Sequence, residues 1–560
     1  MDHGDRWGAL AGQVLGLGTT SHRGSGRRGT TIGNLAFILH AHLPWVRQSA
    51  HTRYLEESWL HEAIAECYLP LLHVLRGWSR DGVPARITVS LSPTLVAMLD
   101  DPLLRGRFAR RLEEMEALGE QERFRTGWLG EFKEAAEFHA DRVEQLAGLY
   151  REIRGDIAGA FADLAKAGVV ELITTSATHA LLPFLLDQPG SLRAQIVTGV
   201  NAFRGRFGFK PAGFWVPECA YAPALETALK AGGVRWFVLE THGLNAAEPR
   251  PPFSPLTPAL TPSGLGVMAR DPESAHQVWS RQGGYPGDPA YREFYRDVGF
   301  DLDLDYVEPC LPAPKVRGFT GFKYHRVTGA TNEKQPYRRV EALAKVQGHA
   351  EHFIASRLQQ LDAARQAGCP APLVTAPYDA ELFGHWWFEG PEFLDAVART
   401  AMRDGRLKLV TPTDHLQTGP ELPVVQPAAS SWGEGGDWRL WLNSSNAWIQ
   451  EELLAADRAM SRIVATCVAA DELVERALRQ MTRELLLAQA SDWPFMQRTG
   501  TNSDFARSQV ELRLARFRLL ERKLASRQLD SAEIASIEAE TPIFTGTLAE
   551  PASWIDERSR

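Results

Sequence analysis

The chain is poor in cysteine. Its five, Cys67, Cys219, Cys310, Cys369 and Cys467, are odd in number, scattered over 560 residues and nowhere spaced as CxxC. That pattern argues against a disulfide framework and a structural zinc site, and makes a reducing cytoplasm the expected compartment. Long apolar runs are missing too: none approaches the roughly 20 residues a membrane span needs, so no membrane partner is expected. Nor is there an excess of positive charge, since 61 Lys and Arg face 69 Asp and Glu for a formal net charge of −8. Without a basic cluster to follow a phosphate backbone, nucleic acid is not an expected partner. Residues 1–33 have no stretch long enough for a signal-peptide core. Rich in Gly, Ser, Thr and Arg, they read as a disordered extension or an over-long gene start. What the chain does have is tryptophan: 16, many beside Gly, Asp or His. Trp fills cores and also stacks on sugar faces, so position must separate the two uses.

Short β-rich runs recur with helical stretches between them: LAFILH (35–40), RITVSLS (86–92), VVELITT (169–175), AGFWV (212–216), VRWFVLE (234–240), GLGVMAR (264–270), PLVTAPY (372–378) and RLKLVT (406–411). Continuous apolar runs of this kind predict parallel strands buried on both faces, in a barrel or a doubly wound sheet. Histidines and acids follow the strands, as in barrels whose active site lies at the C-terminal strand ends. The segment 101–167 is charged and helix-periodic, too long for one crossover, and reads as a helical insertion. Residues 243–264 form a Pro-rich loop, read as a lid or binding loop. Residues 446–489 and 510–528 read as long amphipathic helices of a C-terminal helical domain spanning 416–540, with 541–560 as a tail.

Two stretches end strands with a carboxylate. In FWVPECAY (214–221), Glu218 lies between Pro217 and Cys219; in PYDAELFGHWW (377–387), Asp379 follows an apolar strand. Facing one cavity, such a pair can cleave a glycosidic bond: one carboxylate attacks the anomeric carbon while the other protonates the leaving oxygen. Cys219 is a rival nucleophile without a local base, and Glu381 a rival acid two residues beyond Asp379. The histidines of HAHLPWV (40–46), His40 and His42, supply half of a metal site, bind sugar hydroxyls or form a structural pair supporting a loop, and hydroxyl binding carries more weight than metal without an evident complementing ligand set. SSWGEGGDWRLWLN (430–443) interleaves Trp432, Trp438 and Trp441 with glycine and acid, as a stacking loop would.

These segments together resemble glycoside hydrolase family 57. The likeness rests on five ordered stretches: HAHLP (40–44), ELITTSATHALLP (171–183), GFWVPECAY (213–221), APYDAELFGHWW (376–387) and SSWGEGGDWRLWLN (430–443). Within the family, EESWLHEAIAECYLPLL (56–72), THGL (241–244), ARD (269–271) and the C-terminal helices look most like the α-1,4-glucan branching enzymes. The resemblance implies an α/β fold, an incomplete (β/α)7 barrel with a helical insertion and a C-terminal α-helical domain, over 34–100 and 168–415 for the barrel. It implies a retaining enzyme without metal or cofactor, acting on amylose-like or glycogen-like α-1,4-glucan as a monomer or weak oligomer. It makes Glu218 the nucleophile and Asp379 the general acid/base. His40, His42 and His179 would bind sugar hydroxyls; Arg270, Gly287, Trp432 and Asp492 match substrate-binding positions; Trp59, Trp279 and Trp441 match groove-wall aromatics. The family's lid loop carries a tyrosine where this chain has the region of Leu256, with Phe253 the nearest aromatic. That departure makes a predominantly hydrolytic, α-amylase-like enzyme the alternative expectation.

Overall fold

The computed structural model describes residues 31–280, 282–419, 421–466 and 471–554. The expected N-terminal extension lies outside these as far as residue 30, as does Cys467; Gly33 already opens the first strand.

Among the described residues, nine strands form one sheet: β1 (Gly33–Ala41), β2 (Ile87–Leu91), β3 (Val170–Thr175), β4 (Gly213–Trp215), β5 (Trp236–Leu239), β6 (Ala259–Leu260), β7 (Gly266–Ala269), β8 (Leu373–Asp379) and β9 (Leu407–Leu409). The order is β6-β7-β5-β4-β3-β2-β1-β8, with β9 against the base of β1. Seven strands, β7 through β8 along that order, run parallel; only β6 is antiparallel, on β7. The two ends of the sheet approach each other, and the Asp271 N–H donates to the Thr375 carbonyl at 2.8 Å. The result is an incomplete seven-unit β/α barrel. Leu35 through Leu39 have no solvent exposure, which explains why β1 reads as an unbroken apolar run: both of its faces are covered. The barrel interior is filled by Ala36, Ile38, Ile173, Trp215, Trp236 and Met268, a closed floor beneath the C-terminal rim.

Register aligns the rim. His40 lies opposite Ser90 on β2 and opposite Asp379 on β8. Between β2 and β3 stand three helices, Pro102–Thr126, Lys133–Glu152 and Ile157–Lys166. Asp101 and Asp156 cap the first and third by accepting backbone N–H groups at 2.8–3.0 Å, which sets where each begins. On the other side of the β1 strand end, the helix Glu57–Glu62 passes into a π-helical turn, Ala63–Tyr68, and then into Leu69–Asp81.

The C-terminal region differs from its sequence expectation in two ways. The stretch 446–489 is not one helix but two, Ala447–Thr466 and Glu472–Ala488. Residues 541–554 are not a loose tail: Ile543 and Trp554 are buried, and the Ala549 N–H donates to Thr198 Oγ1 at 2.9 Å. The helices Asp492–Thr499 and Ser503–Ala525 follow, and the main hydrophobic core runs from β1 and β2 through Met481, Leu485 and Phe517. Among the described residues, no helix is long and apolar enough to cross a membrane.

Candidate active site

The C-terminal strand ends converge on two carboxyl groups. Glu218 sits three residues past β4 in a tight turn, with φ of 61°, and its neighbour Cys219 has φ of 48°. Left-handed backbone at a non-glycine residue costs on the order of 1–3 kcal/mol and persists only where surroundings impose it. Here they do. The Trp432 N–H donates to the Glu218 carbonyl at 3.0 Å, and the Trp432 indole Nε1–H donates to Glu218 Oε2 at 2.8 Å. Ser491 Oγ–H donates to Oε1 at 2.8 Å. Burial pushes the Glu218 carboxyl above its ordinary range, while the two donors, Trp432 and Ser491, pull it back.

Asp379 ends β8 in a different environment. Burial first, then the like charges of Glu381 and Glu218, raise its carboxyl well above the ordinary range; Arg270 opposes them. Two carboxyls in one site, one held by donors to its ionised form and one pressed toward protonation, divide into a base or nucleophile and an acid. Cys219 is fully buried, and burial drives its thiol well upward, which removes it as a rival nucleophile. Glu381 is committed elsewhere: its Oε1 accepts from the Tyr68 hydroxyl and from the His42 N–H.

Around the pair, His42 Nε2 meets Asp492 Oδ2 at 3.1 Å, and His42 Nδ1 meets Ser92 Oγ at 2.9 Å. The His42 ring stacks on His179 at 4.0 Å, and His40 stacks on Trp215 at 4.5 Å. Arg270 pairs with Glu240 at 3.2 Å and lies 5.6 Å over the Trp432 ring and 5.8 Å over Trp279, whose exposure is 43%. Its Nε is buried without a partner. His42, His179 and Asp492 bring possible ligand atoms within 4.8 Å of one another. Their donor atoms are already engaged by the protein: His42 by Ser92 and Asp492, and His179 by Ser491 and His40.

The remaining expected residues divide. Trp59 is half-buried and packs edge-on against Phe505 of the C-terminal region at 5.6 Å. Trp441 is only 2% exposed, covered by Leu181, Ala220 and Trp432, so it braces the 430–443 loop instead of walling a groove. Gly287 closes the turn Tyr285–Gly287, whose Tyr285 packs on His349 and His352 of the helix Arg339–Gln366; no described contact takes it to the carboxylates.

Phe253 and Leu256 are not over the site. The Leu256 carbonyl accepts from the N–H of Leu373, the first residue of β8, and Thr257 meets Cys369 below it. Asp379 is at the far end of that strand, about 20 Å away at roughly 3.3 Å per residue. The Pro-rich segment descends the side of the barrel, forms β6 and pairs with 424–426, so it does not act as a lid. The segment that does lie on Glu218 is 430–443.

Sequence reasoning missed Ser491, Ser90 and Tyr68, and read Glu240 only as an acid that follows a strand. Ser491 lies in QASDWPFM (489–496) beside Asp492 and Trp493, but its own residue type carries no signal.

Comparison with known proteins bears on this geometry. Residues 36–426 match the model of Glycosyl hydrolase family 57, and residues 452–548 that of the 1,4-alpha-glucan branching enzyme C-terminal region. A 1,4-alpha-glucan branching enzyme of Thermococcus kodakarensis is 32% identical over 525 residues, 88% of this chain and 74% of that one. A probable 1,4-alpha-glucan branching enzyme of Mycobacterium tuberculosis strain H37Rv is 30% identical over 531 residues, 89% of this chain and 94% of that one. Among solved structures, an alpha-amylase from Thermotoga maritima matches with a TM-score of 0.87 at 35% identity, covering 94% of this chain and 99% of that chain. A family-57-type branching enzyme from Pyrococcus horikoshii matches with a TM-score of 0.84 at 31% identity, covering 94% and 97%.

Proposed function

The chain belongs to glycosyl hydrolase family 57, and on that premise we propose that it is a 1,4-α-glucan branching enzyme working by retaining double displacement. The observation that carries the mechanism is the unequal environment of the two carboxyls: donors from Trp432 and Ser491 on both Glu218 oxygens, and like charges pressing on Asp379.

In the first step a Glu218 oxygen attacks the anomeric carbon, the α-1,4 C–O bond breaks, and the Asp379 proton passes to the departing 4-oxygen. In the second, the Asp379 carboxylate takes the proton of an acceptor 6-hydroxyl. That oxygen attacks the same carbon, and the Glu218 ester bond breaks, leaving an α-1,6 branch and Asp379 protonated again. Both displacements invert, so the α configuration is retained. Trp432, Arg270 and Asp492, which act on the two carboxyls, and Trp279, which packs beside Trp432 and Arg270, are the substrate-binding residues we propose, while His42, held by Ser92 and Asp492, orients Asp492. The branching assignment over the hydrolytic one is supported by the curated relatives and by the match of residues 452–548. Four free, buried cysteines support the cytoplasm as the proposed compartment.

Incubation with amylose tests this. New α-1,6 linkages should outnumber new reducing ends, and Glu218→Gln and Asp379→Asn should each lower turnover by about a thousandfold or more with the fold intact. Reducing ends without branches would establish a hydrolase, and wild-type rates in either variant would displace the assigned carboxylate.

A further inference from the structure

Behind the proposed nucleophile lies a line of side chains that crosses three strand ends and reaches the C-terminal region. Ser491 Oγ lies 2.8 Å from Glu218 Oε1 and 2.8 Å from His179 Nδ1. His179 Nε2 lies 3.0 Å from His40 Nε2, and His40 Nδ1 lies 3.0 Å from Ser90 Oγ. The geometry points to a directed hydrogen-bond chain, Ser90 to His40 to His179 to Ser491, that ends on Glu218 and orients its carboxylate, with Ser491 as the terminal positioning residue.

The direction follows from donor counting. An ionised carboxylate only accepts, so the single Ser491 proton goes to Glu218. Ser491 can then only accept from His179, which places the His179 proton on Nδ1. His179 is 4% exposed and His40 2% exposed, and burial holds both imidazoles well below their ordinary range, so each is neutral with one N–H. With Nδ1 protonated, His179 Nε2 is bare and accepts from His40 Nε2–H. His40 Nδ1 is then bare and accepts from the Ser90 hydroxyl. Every proton points toward Glu218, and aligned donors in a buried site polarise one another.

This changes the reading of two histidines. All four ring nitrogens of His40 and His179 are occupied by protein partners, so neither has a donor free for a sugar hydroxyl. Backbone contacts fix the last link: the Ser491 N–H donates to the His179 carbonyl at 3.1 Å, and Ala180 bridges Ala490. His179 itself is held at φ of 60°. The C-terminal region therefore supplies part of the nucleophile's setting. The other ionisable groups facing Glu218 are His179 at 3.8 Å, His42, Asp492 and Asp379.

The inference rests on the proposed role of Glu218, and two measurements keep the failures separate. First, 15N spectra of the histidine-labelled full chain, without glucan, should show His179 as the neutral Nδ1–H form and His40 as the neutral Nε2–H form. His179 protonated on Nε2 overturns the chain whatever the enzyme does to amylose. Second, Ser491→Ala should lower kcat on amylose by about 10- to 100-fold, the weight of one hydrogen bond to a charged group, with KM unchanged. The acidic limb of kcat/KM should move to higher pH, because ionised Glu218 has lost a donor, and Ser491→Thr, which keeps the hydroxyl, should restore both. Wild-type kcat and an unmoved limb in Ser491→Ala overturn the proposal. If wild type leaves amylose untouched, it is the functional reading that fails, and the tautomers still decide the chain.

Discussion

Glu381 illustrates how one charge can serve a neighbour. Its carboxylate is clamped by the Tyr68 hydroxyl and the His42 N–H, and it lies close enough to Asp379 to be the largest of the charges raising that group. In the proposed mechanism the first displacement requires protonated Asp379, so activity should fall as pH rises through the Asp379 pKa. Glu381→Gln removes the like charge and lowers that pKa, and the alkaline limb of kcat/KM should move to lower pH while the acidic limb stays. A pH–rate profile on amylose checks it, and an unmoved alkaline limb would show that burial and Glu218 set the acid without Glu381. The two carboxyls were legible because an acid just past an apolar run marks a strand end. Ser491 was not: its partner Glu218 lies 273 residues earlier, and serine is too common a residue for its type to announce a role.

Elements decide what the residues can reach. The π-helical turn Ala63–Tyr68 presses on the loop after β8. Cys67 Sγ–H donates to the Ala380 carbonyl at 2.9 Å, and His385 Nδ1 meets Glu66 Oε2 at 2.7 Å. At Gly384 a Cβ would stand 1.8 Å from the Glu66 carbonyl oxygen, and φ is 115°, so only glycine fits that crossing. A widened turn inside a longer helix commonly marks a functional site, and this one carries the clamp on the acid's loop. The Pro-rich segment is the opposite case. Its length was readable but its direction was not, since composition says how far a loop can reach and nothing of which rim it leaves toward. Because Leu256 sits at the base of β8, Leu256→Tyr should leave the ratio of α-1,6 linkages to new reducing ends unchanged. A clear rise in branching would mean that this segment reaches the rim after all.

At the scale of the whole molecule, the barrel was written in eight apolar runs, most of whose strands are buried on both faces, β9 with its exposed Lys408 being an exception, and the two-residue β6 escaped notice. The division into Ala447–Thr466 and Glu472–Ala488 also escaped, because no proline or glycine lies between them to mark it. What no run of residues could convey is that the C-terminal region shares one core with β1 and β2 and donates a hydroxyl to Glu218. A chain ending at residue 446 should therefore expose that apolar face and aggregate, and any soluble fraction should not branch amylose; size-exclusion chromatography with the amylose assay decides, and an active truncated species would separate the two regions. Synthesis gives this arrangement a temporal meaning. The ribosome delivers the N-terminus first. Glu218 emerges well before its donors, which lie 214 residues further on in Trp432 and 273 further on in Ser491. A nascent chain thus carries Glu218 without the Trp432 and Ser491 contacts that hold its carboxyl, and the setting of that carboxyl is completed among the last parts made.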